Sequence, residues 1–115
     1  MAKQSVKVGL VQMSTEDDKR ANIDKALAQI RVAAGRGAQI VCLQELFASP
    51  YFCQVEDAAL FDLGEDKDGP TVSAVAKVAQ ELGVVVLTSM FERRAPGLYH
   101  NTTVVLGTRG EELGV

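Results

Sequence analysis

The sequence predicts an α/β fold built on a mixed β-sheet. Three observations predict it: a strand–helix–strand succession at the start, a second helix and strand of the same make after a long connection, and a change beyond residue 94 to short turns between β-rich runs. The first two imply parallel strands joined by right-handed crossovers, and the third implies antiparallel hairpins. No repeat, linker or low-complexity stretch divides the 115 residues, a length at which folding buries about two-thirds of the extended chain's surface.

Each element follows in order. "VKVGLVQM", residues 6–13, is apolar on both registers around Gly9 and predicts a central strand of a covered sheet. Glu16, Asp17 and Asp18 then precede Ile23, Ala26, Leu27, Ile30 and Ala34, whose three-and-four spacing marks one face of a helix. Arg31 and Arg36 suit its end, and Gly35 and Gly37 can stop it. Ile40 to Leu43 predicts a second strand buried on both faces, parallel to the first. The connection over residues 48–69 is long enough to be functional or to hold a short helix. A second helix follows, with Val72, Val75, Ala76, Ala79 and Leu82 as its buried face, Pro70 in its first turn and Gly83 at its stop. "VVVLTSMFE", residues 84–92, predicts a third buried strand. Ala95-Pro96-Gly97 is a turn, "LYHNTTVVLG" a strand, Thr108-Arg109-Gly110 another turn, and "EELGV" the start of a further element.

Composition excludes several classes. A net charge of −3 and a pI near 5.1 provide no basic surface for a phosphate backbone, so no nucleic-acid partner is expected. Apolar runs such as Val84 to Leu87 fall far short of the roughly 20 residues of a membrane span. The leading ten residues lack the apolar core of a secretory signal, which makes the cytoplasm the expected compartment. Two cysteines and one histidine, without Cys-x-x-Cys or His-x-x-x-His spacing, give little support to a metal site. Nor is a disulfide expected, since Cys42 belongs to a predicted buried strand and the cytosol is reducing.

One carboxylate stands out. Glu45 lies at the C-terminal end of the second strand, the edge of an open α/β sheet where ligand crevices form. A buried acid there needs partners if it is structural, whereas a general base gains from a tuned environment; a helix-cap or ion-pair role is the alternative. Cys53 sits in an aromatic loop without an adjacent histidine and is expected as a buried or pocket-lining thiol, while Cys42 is expected in the core. His100 has no sequence-local partner and is expected as a satisfied surface or sheet residue. "GRG" at 35–37 follows a helix and reads as its stop, and "DKDG" at 66–69 lacks the distal ligands of a calcium loop.

"VKVGLVQM", "GAQIVCLQELFASPYFCQ", "ELGVVVLTSMFER" and "LYHNTTVVLGTRGEELGV" together resemble the amino-terminal portion of the nitrilase (carbon-nitrogen hydrolase) superfamily, with wording closest to its N-carbamoylputrescine amidases. The likeness runs from residue 6 to the last residue and is specific chiefly through "QELF" followed by "PYFC". It implies an α-β-β-α sandwich, of which residues 1–115 would be the front part of a single domain, and cofactor-independent cleavage of non-peptide C–N bonds by a Glu, a Lys and a Cys. It also implies a small amide or carbamoyl substrate, a place in polyamine metabolism and a homo-oligomeric full-length enzyme. By the same resemblance Glu45 is the base that takes the thiol proton. Tyr51 and Phe52 are then expected as substrate-pocket wall, with plain packing over the sheet end as the alternative.

The family's Lys and Cys belong to segments that follow "LGV", so neither Cys42 nor Cys53 inherits the nucleophile's role, and the 115 residues are expected to be inactive alone. A β-ureidopropionase-like or aliphatic amidase is the nearest alternative. A signalling receiver module would need an acidic pair after its first strand, where this chain has Gln12-Met13. A non-catalytic binding or assembly module is the remaining class.

Overall fold

A computed structural model describes residues 4–115. Strands β1 (Val8–Leu10), β2 (Ile40–Cys42), β3 (Val85–Ala95), β4 (Leu98–Leu106) and β5 (Glu112–Gly114) form one sheet in that spatial order. The pairs β1–β2 and β2–β3 are parallel, and β3–β4 and β4–β5 antiparallel. Helix α1 (Lys19–Gly35) makes the first crossover and α2 (Pro70–Leu82) the second. A short 3-10 helix, Ala58–Leu63, occupies the long connection. Among the described residues no helix is long and apolar enough to cross a membrane. The expectation about a signal segment falls partly on residues 1–3, outside those described.

The helix ends follow from their local chemistry. Asp18 caps α1 by accepting from the amides of Arg20 and Ala21, satisfying two of the donors that a helix start leaves unpaired. Arg36 caps its other end and Gly37, at φ 91°, turns the chain away. Helix α2 opens with Pro70 and stops at Gly83 in the left-handed region, both as its sequence predicts.

Both helices cover the same face of the sheet. Ile23, Ala26 and Ile30 of α1 and Val72, Val75, Val78 and Ala79 of α2 pack on Val41, Val86, Met90, Val104 and Leu106. Gly9 lies on this face too: a Cβ there would stand 2.9 Å from the Ala33 Cβ and 3.2 Å from that of Ala38, so the bare backbone lets α1 approach the sheet. Alternation then sends Val8 and Leu10 to the opposite face, in register with Ile40 and Cys42 of β2 and Val85 and Leu87 of β3.

Three expectations need correction. Residues 6–13 do not form a central strand: β1 is three residues long and lies at the sheet edge, with Val8 and Leu10 exposed. Ile40 to Leu43 is not buried on both faces, because only Val41 and Leu43 are fully covered. Cys42 is half-buried on the open face instead of lying in the core. All three share one cause. An apolar residue on the uncovered face is indistinguishable, by composition, from one under a helix.

An uncovered face of this kind predicts behaviour in solution. The 115-residue polypeptide, produced alone, should bind a hydrophobic dye strongly or self-associate on sizing. A dye-silent, sharply melting monomer would contradict that expectation.

Candidate functional site

Where β2 ends, its ladder runs on for one residue: the Val11 amide donates to the Cys42 carbonyl at 2.9 Å and the Leu43 amide to the Leu87 carbonyl at 3.0 Å. The Gln44 side chain then accepts from the Met13 amide at 2.7 Å, tying the exits of β1 and β2 together. Glu45 comes next, on a turn. Leu46 adopts φ 52°, the one positive φ among the described non-glycine residues, and such a conformation costs roughly 1–3 kcal/mol unless the surroundings enforce it. The surroundings do so: its amide donates to the buried Ser89 hydroxyl at 2.9 Å, and its side chain and that of Phe47 are buried.

This turn leaves Glu45 exposed at the open face of the sheet, where its Oε1 accepts a hydrogen bond from Asn101 Nδ2. The carboxylate opens into a cleft of about 410 Å³ lined by Cys42, Leu43, Glu45, Leu87, Ser89, Asn101 and Thr103. Ser89 pairs with Thr103 across β3 and β4, and Asn101 follows two residues before Thr103 on the same face. The cleft thus combines one proton acceptor with an amide, two hydroxyls and a thiol, and among the described residues no lysine or arginine lines it. Such a set can take up a proton and hold a polar group. The expectation that Glu45 is partly buried does not hold for these residues, because nothing among them lies over that face of the sheet end.

Tyr51 and Phe52 do not line this cleft. Phe52 meets Phe91 edge-on, ring centroids 5.0 Å apart, and lines a neighbouring cleft of about 490 Å³ with Cys53, Val55, Phe61 and Phe91. Phe61 and Tyr99 complete an aromatic layer, 4.6 Å apart, that seats the connection on β3 and β4. Phe52 thus packs on Phe91 and at the same time walls a cleft separate from that of Glu45. Tyr51 is half-exposed, and its phenol is raised above the ordinary range, first by the neighbouring Cys53 thiol and then by the Glu45 charge. It feels the Glu45 charge without sharing the Glu45 cleft. Cys53 is exposed, not buried, and does line a pocket, the aromatic one.

His100 points to the helix side of β4, in register with Glu92, and its buried Nε2 has no hydrogen-bond partner among the described residues. The expectation of a fully satisfied histidine is not met. Glu92, buried at the far end of β3, accepts from Arg94 through both oxygens at 3.0 Å and from Thr102 Oγ1 at 2.7 Å. These bonds, the Arg94 pair foremost, hold its carboxyl at about 2. "DKDG" builds the entry to α2: the Gly69 amide donates to the Asp66 carbonyl and Ser73 Oγ to that of Asp68. No group of three or more His, Cys, Asp or Glu side chains among the described residues is placed to hold a metal ion.

Asn101, Ser89 and Thr103 are the cleft residues that sequence reasoning missed. Their signal was available in the alternation of β4: Thr102, Val104 and Leu106 are buried, which assigns Asn101 and Thr103 to the other face. What alternation does not reveal is that this face meets Glu45.

Comparison with known proteins identifies the family and the fold. The profile of the carbon-nitrogen hydrolase family matches residues 7–115. An N-carbamoylputrescine amidase of Arabidopsis thaliana is 34% identical over 114 residues, covering 98% of this chain and 38% of that protein. One from Oryza sativa subsp. japonica is 37% identical over 111 residues, covering 96% and 36%. The crystal structure of a carbon-nitrogen hydrolase from Helicobacter pylori G27 superposes with a TM-score of 0.88 at 33% identity, covering 95% of this chain and 38% of that one. The chain therefore spans less than two-fifths of the length of these relatives.

The Glu92 cluster yields a pH dependence. A carboxyl held at about 2, against 4.5 for the free group, contributes stability that is complete above the free value and is lost as pH falls through the folded one. Melting temperature should accordingly fall on acidification between these values, and Glu92→Gln should flatten that part of the profile. Parallel profiles for the two forms would remove Glu92 as a contributor.

Proposed function

Because the chain belongs to the carbon-nitrogen hydrolase family, we propose that the protein containing it hydrolyses a non-peptide C–N bond in an N-carbamoyl amine or a linear amide, with Glu45 as general base. The observation that carries this is the placement of Glu45: a carboxylate at a parallel strand's C-terminal end, hydrogen-bonded by an amide and opening into a polar cleft. The relatives named N-carbamoylputrescine amidase support the carbamoyl class of substrate.

In the reaction the nucleophilic thiol gives its proton to Glu45 and attacks the carbonyl carbon, a lysine steadies the oxyanion, and the C–N bond breaks as the nitrogen takes the proton back. Water, deprotonated by the same carboxylate, then cleaves the thioester. An N-carbamoyl amine yields the amine, carbon dioxide and ammonia in all. The base matters because a free thiol with a pKa near 8.5 is mostly protonated at neutral pH and the thiolate is the attacking species. By the family resemblance the lysine and the nucleophilic cysteine belong to sequence outside these 115 residues.

Two expected outcomes test this. The 115-residue polypeptide alone should release no ammonia from N-carbamoylputrescine or simple amides. Turnover by pure material would place a nucleophile within it, Cys42 first, since that thiol shares the Glu45 cleft. In the full-length enzyme, Glu45→Gln keeps the shape and removes the proton acceptor, so kcat should fall by about 10²–10⁴. Alkylation of the nucleophilic cysteine should also slow near neutral pH and recover above the free-thiol pKa, with circular dichroism confirming the fold. Retained turnover with superimposable alkylation profiles would return Glu45 to a structural role.

A further inference from the structure

Resting on the assignment of Glu45 as the base, we propose that Asn101 is its positioning residue, holding the carboxylate in the orientation from which it takes the thiol proton. Glu45 is exposed on a turn, and none of the ion pairs among the described residues includes it. A free glutamate side chain disperses its head over several rotamers, and ordering it carries an entropic cost. The Asn101 amide opposes that dispersal by donating to Oε1, and among the described residues no hydrogen bond or ion pair engages Oε2.

Asn101 is itself rigidly placed. It pairs with Phe91 in the β3–β4 ladder, and the Phe91 ring is stacked on Tyr99 at 5.3 Å and met edge-on by Phe52 at 5.0 Å. Two residues back on β3, Ser89 accepts the Leu46 amide. The same hairpin therefore grips the Glu45 segment twice, by its backbone through Ser89 and by its head through Asn101.

The choice of an amide has a chemical consequence. A lysine or arginine in that position would hold the carboxylate more firmly but would stabilise its charge and weaken it as a base. Among the described residues, the titratable groups near Glu45 are the Cys42 thiol, which shares its cleft, and the Tyr51 phenol of the connection, which feels its charge. A neutral donor orients the carboxylate without adding, beyond the lysine of the proposed mechanism, a positive charge bonded directly to it.

The test compares full-length enzyme with its Glu45→Gln, Asn101→Ala, Asn101→Asp and Asn101→Gln variants. It reads ammonia release from N-carbamoylputrescine and iodoacetamide alkylation of the nucleophilic thiol, each against pH, with thermal melts as the control for folding. Losing a donor to an ionised carboxylate makes that carboxylate keep its proton to higher pH. Asn101→Ala should therefore lower kcat/KM about tenfold to a hundredfold, chiefly through kcat, and move the acid limb of the profile to higher pH. Asn101→Asp, isosteric but repelling, should do so more strongly, and Asn101→Gln, which keeps a donor, should recover part of the loss. Should the alanine variant fail to fold, the aspartate and glutamine variants carry the comparison. An inactive Glu45→Gln beside Asn101 variants with the parental acid limb and kcat would overturn the role of Asn101 and leave the base intact. Parental turnover in Glu45→Gln would overturn the base and this inference with it.

Discussion

The hydrogen bond from the Leu46 amide to the Ser89 hydroxyl is the constraint on which the site depends. A leucine at φ 52° is strained, and the strain is held by that bond together with burial of the Leu46 and Phe47 side chains. Released, the segment could extend β2 by another residue, and alternation would then redirect Glu45. The bond reaches from the turn to a strand 43 residues later, so the orientation of Glu45 exists only once β2 and β3 are in register. Local sequence alone does not create the site.

A second carboxylate secures the surroundings of that turn. Glu65 receives Lys19 Nζ at 2.5 Å from the start of α1, and the amide and hydroxyl of Thr71 at 2.9 and 2.5 Å from the start of α2. Its backbone pairs with β3 through Phe91 and Arg93. Burial would raise its carboxyl, yet the bonds from Lys19 and Thr71 together bring it below the ordinary range. Two helix starts meet at this anion and β3 at its backbone, and the carboxylate sits at the N-terminus of α2 where the helix dipole favours it. With the aromatic layer of Phe52, Phe61, Phe91 and Tyr99, it fixes the long connection against the sheet, and with it the start of the chain that leads away from Glu45.

The helices, their stops and the order of strands were legible because each rests on signals a few residues apart: Asp18 before an apolar face, Pro70 at a first turn, Gly83 at a stop. The position of β1 was not. Val8 and Leu10 carry the composition of a covered strand, and what distinguishes an edge strand is whether a neighbour exists, which lies outside the strand's own sequence. Glu45 was legible twice, from strand-end location and from family wording. Its partner Asn101 was not, because the two are 56 residues apart and the contact depends on the β3–β4 register and on the Leu46 turn together. Phe52 was ambiguous for a related reason, since an aromatic residue after a candidate base suits a pocket wall and a packing layer equally well, and its edge-on contact with Phe91 beside a cleft of its own depends on a strand far along the chain.

The open face and the cleft are one surface. Leu10, Cys42 and Leu87 lie in a row across β1, β2 and β3, and Cys42 and Leu87 are also cleft walls beside Glu45. Anything that packs against this row also displaces water from the carboxylate, and removing water strengthens its hydrogen bond to Asn101 while favouring the protonated state that a base must reach. Under the proposed function these requirements do not compete. Apolar burial of roughly 25 cal/mol per Å² drives the covering, the covering desolvates the base, and the Asn101 amide keeps one oxygen satisfied while the other accepts the proton. On that proposal the exposed valine–leucine face and the hydrogen-bonded carboxylate beside it are parts of one device, in which covering the first tunes the second.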